Sequence, residues 1–162
     1  MIDIKEKVEI GKSLADLKLG SSLSIFLSEI DTIIDGNNVP WTVFIEQNNS
    51  GKLLYKLPNN NGYIIYVKEP KLELGFTEKG NLCYIRAGLG YLGEIFKGGV
   101  KVGSKLSEIN HELYLDDTED AHFLVENKKI IDGIMFFAGG VSLEESPDTI
   151  IDEVKVYNFD IE

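Results

Sequence analysis

One eight-residue phrase occurs twice in this chain, and it constrains the fold more than any other feature. Leu17-Lys18-Leu19-Gly20-Ser21-Ser22-Leu23-Ser24 returns as Val100-Lys101-Val102-Gly103-Ser104-Lys105-Leu106-Ser107. Each copy joins an apolar-alternating strand end to a glycine, a serine and then a helical spacing of apolar residues. Glycine tolerates the positive φ that a strand-to-helix turn often needs, and serine accepts a hydrogen bond from an orphan amide of the first helical turn. The phrase therefore predicts a strand-Gly-Ser-helix entry used twice, and with it an α+β fold. A serine-capped helix start can hold a phosphate, but the glycine spacing of a nucleotide loop is missing. The phrase gives architecture and no catalytic constellation.

Read in order, the chain supplies the rest of the sheet. Val8 to Gly11 reads as a short edge strand. From Ser22, the residues Leu23, Phe26, Leu27, Ile30 and Ile34 form one helical stripe. Gly36 and Pro40 end it, which predicts a helix over residues 22 to 35. Trp41 to Ile45 reads as a strand, Asn48-Asn49-Ser50-Gly51 as a turn, and Lys52 to Leu57, Tyr63 to Val67, Lys71 to Phe76 and Leu82 to Ala87 as further strands. The short links between them predict a largely antiparallel meander. After the second phrase Leu106, Ile109 and Leu113 repeat a helical stripe, so a second helix is expected, ending near Asp116. Asn127-Lys128 then reads as a hairpin turn between His122 to Glu126 and Lys129 to Phe137. The segment from Thr149 to Phe159 is either strand or short helix.

The charge is uneven. Of a net −11, residues 1 to 111 hold 13 basic and 13 acidic side chains, whereas residues 112 to 162 hold 3 and 14. Such a field repels nucleic acid and anionic membranes and attracts a basic protein. The cluster Asp116-Asp117-Thr118-Glu119-Asp120 is its densest point. It lacks the alternating ligands, central glycine and terminal glutamate of a calcium loop. Arg86 is the only arginine, which also argues against nucleic acid.

At 162 residues the simplest organisation is one domain, 1 to 162. A single cysteine, Cys83 in an apolar run, excludes an intrachain disulfide and fits a reduced, cytoplasmic setting. No signal-like or membrane-spanning stretch is read from the sequence, so a soluble, unexported protein is expected.

Chemistry is sparse. His111 and His122 have neither zinc nor facial-triad spacing, so no metal is expected. No G-x-S-x-G elbow is present. Gly88-Leu89-Gly90-Tyr91-Leu92-Gly93 matches G-x-G-x-x-G, but strand-like residues continue on both sides, and the dinucleotide motif must open a helix. A bulge, a bend or a close approach of backbones is the better reading, with no cofactor. The balance favours a binding module over an enzyme. The alternative is a small-ligand or enzymatic α+β domain with a pocket walled by Trp41, Tyr55, Tyr63 and Tyr66.

The two phrase copies, the meander and the Gly-aromatic stretch from Gly88 to Gly99 resemble the small acidic immunity proteins of bacterial contact-dependent growth inhibition. The resemblance implies a cytoplasmic inhibitor that binds a cognate toxin C-terminal domain, often a nuclease and basic, with no catalytic residues to carry over. It also implies sheet extension by a toxin hairpin as one mode of binding. On that reading Asp116, Asp117, Glu119 and Asp120 are the charge partners, and Tyr91 and Phe96 are apolar anchors near an open edge.

Overall fold

The computed structural model describes residues 2–47 and 51–162, with side chains described outside 45–50. The expected turn residues Asn48, Asn49 and Ser50 lie outside the described residues. A small hairpin, β1 (Ser13–Leu14) and β2 (Leu17–Lys18), precedes the main sheet. That sheet contains β3 (Thr32–Asp35), β4 (Lys52–Lys56), β5 (Tyr63–Val67), β6 (Leu72–Phe76), β7 (Leu82–Ala87), β8 (Leu113–Asp116), β9 (Ala121–Glu126), β10 (Lys129–Ile130), β11 (Ile134–Phe137) and β12 (Glu153–Tyr157). One α-helix, α1 (Trp41–Gln47), links β3 to β4.

The ten strands run in the order β10-β9-β11-β12-β7-β6-β5-β4-β3, with β8 also on β9. Every pairing is antiparallel except β3 with β4, where α1 makes the crossover that a parallel pair requires. The fold is thus α+β and mostly sheet. His122 pairs with both Leu115 of β8 and Phe136 of β11, so those two strands flank β9 on opposite sides.

Alternation along the strands sends two sets of side chains to opposite faces. On the core face Leu54, Ile65, Leu74, Ile85, Val154, Val156 and Phe136 meet residues from the long segments that cover the sheet, among them Leu14, Leu17, Tyr91, Ile95, Val100, Leu106 and Ile109. Full burial of each aliphatic chain contributes about 1.5–3 kcal/mol, so this layer dominates stability. Among the described residues the second face carries two smaller apolar clusters. Trp41 and Phe44 of α1 pack on Tyr55 and Tyr66, and a smaller cluster joins Phe123, Met135 and Tyr157 with Tyr84 and Phe137. Between them β6, β7 and β12 present Glu73, Arg86, Glu153 and Lys155.

Four expected elements are corrected. The helix over 22 to 35 is instead a pair of 3-10 turns, Leu23–Ile25 and Leu27–Glu29, followed by β3. Leu23, Phe26 and Ile30 still pack on the core, because a 3-10 turn also aligns residues three apart. The β-branched run Thr32-Ile33-Ile34 then takes the extended conformation it prefers. The second expected helix is one 3-10 turn, Leu106–Glu108, and Leu113 lies in a strand. Conversely, Trp41 to Gln47 is helical rather than extended. The Phe44 N–H bonds to the Pro40 carbonyl, and the spacing of three places Trp41 and Phe44 together over Tyr55. The expected strand at Val8 to Gly11 reduces to a single bridge, Glu9 with Ser13.

The two phrase copies make corresponding bonds. Gly20 N–H donates to Leu82 O and Leu82 N–H to Ser21 O, while Gly103 N–H donates to Ile151 O and Ile151 N–H to Ser104 O. Leu23 bonds to Gly80 as Leu106 bonds to Thr149. Both turn glycines have positive φ, 87° and 95°. Each copy therefore clips onto the residues leading into a central strand, β7 or β12.

Candidate partner-binding edge

Among the described residues, β8 has a strand partner along only one side. Val125 N–H donates to Glu112 O, which fixes the phase of the β8–β9 ladder. Groups alternate in direction along a strand, so Leu113 and Leu115 point their N–H and C=O groups away from β9. No described residue pairs with that outer side. Tyr114, on the second face, is 51% exposed. A row of open backbone groups beside an exposed aromatic ring is a surface on which another strand can pair.

The β8–β9 turn continues this edge with acid. The Asp116 carboxylate accepts from the Thr118 N–H at 2.9 Å, the Glu119 N–H at 3.3 Å and the Thr118 hydroxyl. These bonds, the hydroxyl first, hold its carboxyl below the usual range. Asp120 takes a positive φ of 50°, which closes the turn. Asp117, Glu119 and Asp120 are exposed. None of the four carboxylates forms an ion pair among the described residues. On the opposite edge, β3, Asp31 accepts the Lys52 N–H, and Asp35 accepts the Asn37 N–H as Asp116 accepts that of Thr118.

The structure therefore groups Asp116, Asp117, Glu119 and Asp120 on one turn, and places Tyr91 and Phe96 elsewhere. Tyr91 is 2% exposed and its hydroxyl donates to the Glu6 carbonyl at 2.6 Å. Burial pushes its pKa up to about 12. Phe96 packs edge-on against His111 and Phe136 on the core side. As placed, Tyr91 offers no free ring to a partner. Tyr114 is the exposed aromatic of this edge; its signal was the alternation Leu113-Tyr114-Leu115, hidden by the helical spacing of Leu106, Ile109 and Leu113.

The Gly88 to Gly93 motif opens no helix. A Cβ at Gly93 would lie 2.3 Å from the Glu6 carbonyl, so this glycine admits a close backbone approach. Among the aromatic residues considered as pocket walls, Trp41, Tyr55 and Tyr66 meet, but with rings in mutual contact and the Tyr55 hydroxyl donating to Val39 O at 2.6 Å. Tyr63 packs on the opposite face.

No protein-family model matches the chain, and neither the curated proteins nor the solved structures give a match. No helix among the described residues is long and apolar enough to cross a membrane.

Proposed function

We propose that this chain is an inhibitor that binds and neutralises a cationic toxin domain, a nuclease being the favoured kind, in the manner of contact-dependent growth inhibition immunity proteins. The observation that carries the reading is the continuity of the open β8 edge with the unpaired acidic turn Asp116 to Asp120. A basic domain would be steered by the turn and held by a strand added along Leu113 and Leu115. The acidic excess of the last third of the chain favours the same partner. The reading assigns the protein to the cytoplasm, with Cys83 reduced, and gives it no catalytic role.

The test is co-expression with the products of neighbouring open reading frames, followed by kinetics on any toxin recovered. Replacing Asp116, Asp117 and Asp120 by Asn and Glu119 by Gln should slow association at low salt by about tenfold or more. Leu115→Pro removes an outward N–H together with a half-buried side chain, so once unfolding midpoints confirm that the variant is folded it should speed dissociation. Unchanged association in the charge variant would remove the acidic turn from the interface. If no neighbouring product is made harmless by this chain, the inhibitor reading itself is refuted.

A further inference from the structure

Arg86 of β7 and Lys155 of β12 are direct cross-strand partners at the middle of the sheet. Their neighbours Ile85, Ala87, Val154 and Val156 all enter the core, so both cations stand on the second face. Like charges placed opposite one another destabilise a sheet unless something compensates them. The compensation within the chain is incomplete. Arg86 donates its Nε to Glu153 and lays its guanidinium 4.0 Å from the Phe137 ring centre, yet its terminal nitrogens meet no acceptor among the described residues. The Lys155 ammonium has no carboxylate partner among them at all. It rests 4.3 Å from the centre of the Tyr84 ring and 5.5 Å from that of Phe159.

The nearby acids are otherwise engaged. Glu153 also receives Lys71 at 2.8 Å, and Glu73 accepts the Tyr84 hydroxyl at 2.6 Å. Burial holds Lys155 below the ordinary lysine range, with Arg86 pushing the same way and Glu73 and Glu119 opposing. The result is a group of unpaired N–H donors bordered by flat apolar rings.

We propose that Arg86 and Lys155 form a binding site for an aromatic monocarboxylate. The planar guanidinium edge matches a carboxylate, and Lys155 adds the second cation. The Phe137 and Tyr84 faces are covered by the two cations themselves, so the 63%-exposed Phe159, stacked on Tyr157, supplies the open surface for a flat apolar body. A single negative charge is preferred to a doubly charged phosphate because the chain as a whole carries −11. The site lies within electrostatic reach of Glu119 on the acidic turn, but the proposal does not rest on the toxin-binding reading.

Benzoate is the probe, titrated at constant ionic strength into protein labelled at the lysine ε-carbon and followed by NMR. A saturable shift of the Lys155 signal is expected within about 20 mM, weaker for acetate and for inorganic phosphate. Arg86→Gln and Lys155→Met should each weaken benzoate by about tenfold or more, the loss expected for one charge-assisted hydrogen bond. Binding to Lys155→Met is read from aromatic ring signals, and Lys155→Arg should retain it. Unfolding midpoints confirm that each variant is folded. No saturable response, equal responses to all three anions, or undiminished binding by folded Arg86→Gln would overturn the proposal.

Discussion

His122 offers a direct test of how this core was assembled. It lies on β9 with its side chain on the core face, 1% exposed, and its Nε2 has no hydrogen-bond partner. Its strand neighbours are Leu115 and Phe136; in the other half of the sheet Ile65 of β5 holds the matching place between Leu54 and Leu74. Replacing His122 by Ile should therefore fit both the strand and the layer. An unsatisfied buried polar atom costs about 1–3 kcal/mol, so the variant should be more stable by about that amount at neutral pH. For a chain of this size each kcal/mol moves the melting temperature by about 2–4 °C.

The pH dependence gives a second, independent sign. Burial lowers the His122 pKa from its usual 6.5, so the folded state favours the neutral ring. The unfolded chain therefore binds the extra proton first as pH falls. Stability from this group is fully present above 6.5 and is lost progressively below it, at a slope of at most about 1.4 kcal/mol per pH unit. Urea unfolding of both proteins at neutral pH and at about one pH unit below the histidine value measures this directly. The gap between His122→Ile and the parent should widen on acidification. A variant that is less stable at neutral pH, or a gap independent of pH, would refute the reasoning.

Two further substitutions test close contacts. Tyr91→Phe removes the bond to the Glu6 carbonyl, and should cost about 1 kcal/mol in urea unfolding without altering toxin association; slower association would return Tyr91 to the interface. Gly75→Ala would set a Cβ 1.9 Å from the Tyr84 ring, so thermal unfolding should show a loss of about 1–3 kcal/mol, and an unchanged midpoint would mean the ring is not fixed over β6.

The strands β5 and β7 were legible to the residue, because their apolar runs end in unambiguous turns. Asn127 and Lys128 both have positive φ, the primed turn that suits a two-residue hairpin. What misled was periodicity at a spacing of three. Leu23 with Phe26 and Leu106 with Ile109 do share a face, but a single 3-10 turn achieves this as well as a long helix, and the competing bonds to Gly80 and Thr149 come from residues remote in sequence. The acidic turn was visible as composition. The open edge beside it was not, because an edge is defined by which strand fails to find a neighbour, and that depends on the order of the whole sheet.

The corresponding bonds of the two phrases also explain why two cations face each other. Leu82 and Ile151 occupy matching places, and the residues four beyond each, Arg86 and Lys155, are cross-strand partners. Ile85 faces Val156 and Ala87 faces Val154, which is the register that an approximate two-fold through the Arg86–Lys155 pair demands. Matching places should then carry matching neighbours, and here the halves diverge. Glu73 lies opposite Arg86, whereas Met135 lies opposite Lys155. Arg86 takes its ion pair from Glu153, whose matching place in the other half holds Tyr84, so Lys155 has neither that carboxylate nor one opposite it. Met135→Glu should supply the latter: in the folded variant the Lys155 pKa, read from the pH titration of its ε-carbon signal, should rise because an opposite charge favours the protonated form. Benzoate should bind more weakly, since the cation is already paired. Because Met135 is 4% exposed, the new carboxylate is only tolerable if Lys155 reaches it. A folded Met135→Glu protein whose Lys155 titration is unmoved or shifted downward would show that the two side chains do not share a face, and the two-fold register argument would fall with it.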